Sequence, residues 1–391
     1  MNVKEIYIGG WFQRTSLHLH EVFRLLKYSE SNLPLDKKKL RSMQKMINPQ
    51  NVRFVMDELD YVTFRTENGI SVRLYEDGLT TLGIDSVTNS LPDEFKKMTD
   101  FYEKKLSKGL SYIFSLGAPV PKELANIKTI YPYFVILDNE SEENIDKILN
   151  EFKQTRYTVI EKPSFQLIQG DKVYVFNNKK SELKKVRDFI EETIFLREFQ
   201  NQLERYLNLH RAIWEKIAEV RERGSIKGSE VKEQKARAES YAKTINLIDT
   251  RISQMNTYIH TREKIIGTHI TDPEYQEILQ YRYETLSDSL VYVADLWVMT
   301  KNYVDTALDV FSSIQSKATE NSIKGLTLIT TVGVLGGLAR LLFTDVTKVN
   351  IGGIAYFVGL LVAGYLLGMA MNKLGQHRTY KIKTIETAKD I

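Results

Sequence analysis

The chain has 391 residues, of which 27% are charged and 42% hydrophobic, proportions typical of a folded protein and too apolar for a disordered one. Its 54 Lys and Arg residues against 50 Asp and Glu leave a net charge of only +4, which argues against a strongly basic nucleic-acid-binding protein. Because there is no cysteine, a disulfide framework, a thiolate metal site and a thiol nucleophile are all excluded.

Residues 1–180 predict an α/β domain in which short strands alternate with helices. Apolar, β-branched and aromatic residues predict strands at 3–8, 52–55, 61–66, 70–75, 80–84, 130–137, 157–160, 165–168 and 173–176. Helices are predicted at 18–28, 35–46, 92–116 and 142–152. The composition changes near residue 180, which we take as the end of this domain.

Long helical stretches follow the α/β domain. Residues 181–270 predict a helical hairpin, broken at Gly224-Ser225-Ile226-Lys227-Gly228. Asp272-Pro273-Glu274 has a capping residue, a proline and an acid in the order that begins a helix. Apolar or small residues then recur at steps of three and four, which predicts a heptad seam along a stalk helix at 271–324. The seam would serve an extended stalk, or would pack the helix lengthwise against its own domain.

Two apolar stretches near the C-terminus, at 325–343 and 351–372, each have about the ~20 residues that cross a bilayer. A polar loop at 344–350 joins them, and a basic tail at 373–391 follows. Basic residues flank the outer ends of both stretches, which predicts a multi-pass protein of the plasma (inner) membrane with cytoplasmic N- and C-termini. A pair of buried core helices is the alternative interpretation.

No catalytic motif stands out, and neither an enzyme nor a cofactor is predicted. Gly9 and Gly10 follow a strand but lack the third glycine and the lysine of a phosphate-binding loop. His18, His20 and Glu21 form the densest cluster of metal-ligand residue types. On a strand the two histidines would share a face and could bind a metal, whereas the polar start of a helix is the other interpretation.

This organisation resembles the CorA family of divalent-cation channels. In that family a cytoplasmic α/β domain, a helical hairpin and a very long stalk helix lead into two membrane helices. The segment Lys324-Gly325-Leu326-Thr327-Leu328-Ile329-Thr330-Thr331 is similar to the family's K-x-L-T-x-I-x-T entry to the first membrane helix. The likeness covers about residues 181–372. It implies a CorA-like homopentamer in a lipid bilayer, with Mg²⁺ or another divalent cation as its cargo or regulator.

The resemblance also implies which residues face the pore. The axial face of the first membrane helix would comprise Glu320, Ile323, Leu326, Thr330, Val334, Gly337 and Leu341. Where the family carries its Gly-Met-Asn signature at the outer mouth, this chain has Thr344, Asp345 and Val346. Rings of Glu320 or Asp345 would favour cations, whereas Arg340 would repel them if it faced the axis. The sequence therefore leaves the identity of the ion open.

Two other functions stay open. Some CorA-like proteins without the signature act as membrane effectors in prokaryotic defence and respond to nucleotide messengers. In that case the α/β domain would bind a small-molecule or nucleotide ligand that gates the pore. A membrane-tethered scaffold without a pore is the third interpretation. No nucleic-acid polymer is expected as a partner.

Overall fold

The computed structural model divides the chain into two compact units. Unit 1 comprises residues 1–207 and 247–294, and unit 2 comprises residues 208–246 and 295–391. The structure describes residues 2–11, 19–85, 87, 89–113, 132–222, 224–343 and 379–381, with isolated positions at 359, 362, 365, 366, 369 and 373.

A nine-stranded mixed sheet forms the centre of unit 1 and confirms the predicted α/β class of the N-terminal domain. Its strands, in chain order, are β1 Val3–Trp11, β2 Pro49–Val55, β3 Tyr61–Thr66, β4 Ser71–Tyr75, β5 Leu79–Ile84, β6 Tyr133–Asp138, β7 Thr158–Glu161, β8 Phe165–Gln169 and β9 Val173–Asn178. Their spatial order is β2-β3-β4-β5-β1-β6-β9-β8-β7. Of the neighbouring pairs, β6 and β9 are parallel and the others are antiparallel.

Short helices pack on this sheet. They are α1 Leu19–Tyr28, α2 Lys37–Ile47, α3 Leu91–Phe101, α4 Ser107–Ile113 and α5 Glu142–Glu151, with a π-helical turn at Tyr102–Leu106 between α3 and α4. Asp36 caps α2 by accepting a hydrogen bond of 2.7 Å from the backbone N–H of Lys38. Apolar residues of the sheet and of α1, α3 and α5 share one buried core, as the alternating and helical apolar patterns require.

Gly9 and Gly10 lie inside β1, where close packing explains them. A Cβ atom on Gly9 would lie 2.7 Å from Cγ2 of Ile194, and one on Gly10 would lie 2.9 Å from the Tyr102 hydroxyl. Neither distance leaves room for a side chain. These glycines therefore let a helix and an aromatic ring approach the strand, and they form no phosphate-binding loop.

Three long helices follow, α6 Leu183–Glu222, α7 Gly228–His269 and α8 Pro273–Phe343. Helix α8 begins at the predicted proline, and Asp272 accepts a hydrogen bond of 3.1 Å from the backbone N–H of Glu274. Gly224 lies at the predicted break after α6 and adopts φ +62°. The seam is buried against the chain itself, at Leu279, Tyr283, Leu286, Leu290 and Val293 in unit 1 and at Trp297, Thr300, Val304, Phe311 and Ile314 in unit 2.

Unit 2 contains a two-stranded sheet that the sequence did not predict. Strand β10, Ser225–Lys227, pairs with β11, Thr379–Lys381, in antiparallel register, with Ile226 opposite Tyr380. Ile226 packs in a small core with Phe311 and Ile314 of α8. A segment predicted as the break in a helical hairpin and a segment of the predicted basic tail are thus joined by backbone hydrogen bonds.

The structure contradicts the prediction of two C-terminal membrane-spanning helices. Over the part of the chain that the structure describes, no helix combines the length and the apolar character needed to cross a membrane. Helix α8 has 71 residues, and the charged side chains Asp305, Asp309, Lys317, Glu320 and Lys324 lie in the part of it that precedes the first predicted span at 325–343. The predicted multi-pass membrane location, which depended on these spans, is corrected with them. Apart from isolated positions, the second predicted span at 351–372 lies outside the described residues.

Candidate functional site

The residues predicted to line a pore follow one another along α8. Glu320 is exposed and forms an ion pair of 2.6 Å with Lys324, and this hydrogen-bonded cation holds the pKa of Glu320 below its usual range. The Ile323 and Val334 side chains are 58% and 56% exposed, and Thr330 and Gly337 are exposed as well. Leu326 and Leu341 lie in α8, but their side chains are outside the described part, as are Thr344, Asp345 and Val346 entirely. Ion passage and self-assembly therefore stay predictions.

Of the predicted cluster of His18, His20 and Glu21, the two described residues lie in the first turn of helix α1. His18 lies outside the described residues, and α1 begins at Leu19. The His20 ring stacks on Phe54 with 4.6 Å between ring centroids. Glu21 accepts hydrogen bonds from the Ser31 hydroxyl and from the Asn32 backbone N–H, at 2.5 and 2.9 Å. No group of three or more acids and histidines is placed to hold a metal within the described ranges.

A groove of about 430 Å³ in unit 1 is the strongest candidate for a site. Its size falls within the ~300–1,000 Å³ of small-molecule pockets. Its walls are α6, α8 and the β8–β9 hairpin, which contribute Gln169, Tyr174, Leu196, Arg197, Gln200, Leu203, Glu204, Leu207, Tyr281, Arg282, Thr285, Leu286, Ser289, Tyr292 and Val293. We call this set the α6–α8 groove.

The two helices run in the same direction along the groove. Phe189 packs on Tyr275 and, further along both helices, Phe195 packs on Tyr283. The lining extends from Tyr281 to Val293 on α8, a rise of twelve residues or about 18 Å of helix. One end of the groove is therefore next to the β8–β9 hairpin, and the other is about three turns further along.

Two arginines lie at the hairpin end. Nε of Arg197 is buried and has no hydrogen-bond partner among the described residues. Burial lowers the pKa of Arg282; Tyr174 acts in the opposite sense, and the like charge of Arg197 lowers the pKa further. Nε2 of Gln169 on the same hairpin is also buried and without a described partner. This end of the groove therefore offers positive charge and hydrogen-bond donors that the described part of the fold leaves unused.

The rest of the groove is apolar along its floor and aromatic at its rim. Leu196, Leu203, Leu207, Leu286 and Val293 line the floor, and all five lie on α6 or α8. Tyr281 and Tyr292 are 71% and 60% exposed and lie at the rim. An apolar wall with a few convergent polar groups is the usual composition of a ligand pocket.

Four other polar side chains of the groove take part in hydrogen bonds: Gln200, Glu204, Thr285 and Ser289. The hydroxyls of Thr285 and Ser289 each donate a hydrogen bond of 2.8 Å to a carbonyl one turn back in α8. Glu204, the carboxylate of the lining, accepts a hydrogen bond of 3.2 Å from Gln200. Neither hydroxyl is paired with a base, so the geometry suits binding better than nucleophilic chemistry.

A buried ion cluster lies beside this groove in unit 1. Arg262 on α7 is 2% exposed and donates to Asp77 in the turn before β5, at 2.5 Å, and to Glu192 on α6, at 2.6 Å. The Tyr283 hydroxyl on α8 also donates to Glu192, at 2.7 Å. Burial raises the pKa of Glu192, although Arg262 opposes the shift. The guanidinium also lies 4.5 Å from the ring centroid of Phe195. This cluster joins the sheet to all three long helices within unit 1.

A second cluster, centred on Glu191, joins α6 to strands β4 and β5 of the sheet. Glu191 accepts hydrogen bonds from the Tyr75 and Thr81 hydroxyls at 2.6 and 2.9 Å, and it forms an ion pair with Arg73 at 3.2 Å. All three partners lie on β4 or β5. Glu191 and Glu192 are adjacent on α6, and each contacts a cation and a tyrosine, Arg73 and Tyr75 for Glu191 and Arg262 and Tyr283 for Glu192.

Comparison with known proteins adds no family to these observations. Neither protein-family models nor curated proteins give a match to this chain. Sequence patterns missed the α6–α8 groove, because Arg197 and Arg282 are 85 positions apart and each resembles an ordinary helical charge. The sequence gives one indication of the groove: Arg282 directly precedes Tyr283, which belongs to the heptad seam.

Proposed function

We propose that this chain is a ligand-responsive protein that binds a small molecule in the α6–α8 groove. The observation that carries the proposal is the groove itself, a space of about 430 Å³ with an apolar floor and, at one end, buried polar atoms that have no hydrogen-bond partner within the described part of the chain. Buried donors without partners cost stability, so a fold retains them most readily where a ligand completes them.

The position of the groove favours a response as well as binding. Arg282 lines the groove, and the next residue, Tyr283, belongs to the buried cluster of Arg262, Asp77 and Glu192. A ligand that orders this turn of α8 acts on a helix that continues to Phe343. The groove thus belongs to an element that reaches well beyond the α/β domain in the chain.

The test is a thermal-shift screen of a small-metabolite library with the full chain, followed by a groove-blocking variant. Thr285→Trp puts an indole into the groove at an exposed position whose hydroxyl bonds only its own helix. Thr306→Trp is the matched control, because Thr306 is also exposed on α8 and also donates 2.8 Å to a carbonyl one turn back.

We expect at least one compound to raise the unfolding temperature of the parent chain and of Thr306→Trp but not of Thr285→Trp. The proposal fails if no compound shifts the parent chain. It also fails if the shift persists in Thr285→Trp, since the ligand then binds elsewhere.

A further inference from the structure

The two arginines of the α6–α8 groove carry positive charge that no carboxylate among the described residues neutralises. Arg197 and Arg282 both line the groove, and no ion pair joins either to a carboxylate among the described residues. Arg73, Arg187 and Arg262, which also lie in unit 1, each form an ion pair with a carboxylate. Arg197 and Arg282 differ from these three in having no such partner among the described residues.

The chain tolerates a repulsion at this place. Both side chains are half-buried, and the charge of Arg197 acts to lower the pKa of Arg282. Guanidinium groups stay protonated in proteins, so the two positive charges persist together. Bringing like charges together in a partly buried place costs free energy, which an anion bound between them would recover.

The donors fit an anion with several oxygen atoms. Each guanidinium presents planar forks of N–H groups that match phosphoryl and carboxylate oxygens. Nε of Arg197 and Nε2 of Gln169 are buried donors without described partners, and both residues line the same groove. Two full positive charges correspond to the charge of a phosphomonoester, about −1.5 to −2 near pH 7.

The rest of the groove selects what the anion is attached to. Beyond the arginines lies an apolar floor that includes Leu203, Leu286 and Val293, with the Tyr281 and Tyr292 rings at the rim. Aromatic rings and leucine side chains favour an anion that carries a planar or apolar body over a free inorganic ion. Glu204, about two turns beyond Arg197 on α6, disfavours a second anionic group at the far end.

We infer that the α6–α8 groove takes a phosphomonoester of an aromatic molecule, with the phosphoryl group at Arg197, Arg282 and Gln169 and the ring on the apolar floor. The inference rests on the proposed function, because it names the class of ligand for the same groove.

Titration calorimetry on the full chain tests the assignment with phenyl phosphate, AMP, adenosine, benzoate and inorganic phosphate as probes. We expect the two phosphomonoesters to bind more tightly than adenosine, which lacks the anion, and than inorganic phosphate, which lacks the ring. Benzoate distinguishes a carboxylate from a phosphoryl group. Benzoate binding as tight as that of phenyl phosphate, or no binding of either phosphomonoester at millimolar concentration, overturns the inference.

Variants then test the residues. Arg197→Gln and Arg282→Gln should each weaken phenyl phosphate binding about 10- to 100-fold, the effect of losing a charge-assisted hydrogen bond. Arg237→Gln is the control, since Arg237 is exposed on α7 and pairs with Glu233 away from the groove. Unchanged affinity in both groove variants contradicts the assignment.

A second measurement separates binding arginines from structural ones. Because Arg282 has no carboxylate partner among the described residues, Arg282→Gln should leave the unfolding temperature of the ligand-free chain unchanged or raise it, while reducing the shift that phenyl phosphate causes. A lower unfolding temperature without ligand would give Arg282 a structural role and sink the inference.

The two proposals fail separately. A neutral compound that stabilises the parent chain but not Thr285→Trp would refute the phosphomonoester and leave the proposed function standing. A phosphomonoester whose binding survives in Thr285→Trp would refute both, because the anion would then lie outside the groove.

Discussion

Replacement of Arg262 by methionine should unfold unit 1 at a much lower urea concentration than the parent chain requires. Arg262 is 2% exposed and its partner Asp77 is 1% exposed, so methionine leaves two carboxylates facing an apolar side chain. Methionine keeps most of the length of the side chain, so the change isolates the charge and its hydrogen bonds from the packing.

The magnitude follows from two independent estimates. Two charge-assisted hydrogen bonds at about 1.5–3 kcal/mol each give about 3–6 kcal/mol. Breaking a buried ion pair by removing one partner costs about 3–5 kcal/mol. Glu192 is 12% exposed and regains some hydration, so we expect a loss of about 3–5 kcal/mol in the free energy of unfolding.

Urea unfolding followed by far-ultraviolet circular dichroism at pH 8 measures this loss. Arg237→Met is the control, because its ion pair with Glu233 is exposed and such pairs contribute about 0.2–1 kcal/mol. The triple variant Arg262→Met, Asp77→Asn, Glu192→Gln should recover part of the loss, since it contains no uncompensated charge.

The pH dependence gives the sharpest check. Burial already raises the pKa of Glu192, and loss of Arg262 removes a charge that lowers it. The carboxyl of the Arg262→Met variant therefore takes up its proton nearer to neutrality, and the loss should be smaller at pH 5 than at pH 8. A loss below about 1 kcal/mol at pH 8, or one that grows as the pH falls, would refute the reasoning.

Three further predictions concern other buried positions. Burial raises the pKa of Glu198 from 4.5 to about 7, so the stability of the fold decreases as the pH rises through this interval. Glu198→Gln should therefore raise the free energy of unfolding by up to about 3 kcal/mol at pH 8 and leave it unchanged at pH 4. A gain at pH 4 as large as at pH 8 would contradict this. Gly9→Ala should cost about 1–3 kcal/mol in urea unfolding, because its methyl group meets Ile194 at 2.7 Å; an unchanged midpoint would count against the packing. Burial lowers the pKa of His210, whose Nδ1 lies 2.5 Å from the Thr300 hydroxyl, so the unfolding temperature should fall as the pH drops below about 6.5, and less so in His210→Asn; parallel pH profiles would refute it.

Local chemistry made much of the fold predictable. The hairpin turns before β4 and β5 end in Gly69 and Gly78, which adopt φ +79° and +98°, values that favour glycine. Asp272 and Pro273 mark the start of α8 because capping and a fixed φ act within one turn. In β3 and β4 every second residue is buried, as the period-two geometry of a strand requires.

Long-range pairing was not predictable in the same way. Strand β11 joins β10 across about 150 residues, and neither three-residue strand has an apolar pattern of its own. The burial of Glu191 and Glu192 could not be predicted from the residues around them in the sequence. It depends on their ion pairs with Arg73 and Arg262, which lie on other elements. The membrane spans were inferred from the length and the apolar composition of two stretches, and the described helices do not support them.

Helix α8 contributes adjacent residues to the α6–α8 groove and to the buried cluster of Arg262, Asp77 and Glu192, which links the two structurally. Arg282 and Tyr283 are neighbours, about 100° apart around the helix axis, so one faces the groove and the other faces Glu192. Tyr283 is held by a 2.7 Å hydrogen bond, whereas Arg282 lacks a carboxylate partner within the described residues. A rigid turn that presents an unpaired cation is preorganised for an anion, because the entropy of ordering that backbone is already lost in folding. The buried cluster therefore bears on affinity as well as stability: loosening it through Arg262 should weaken anion binding without removing any group that lines the groove.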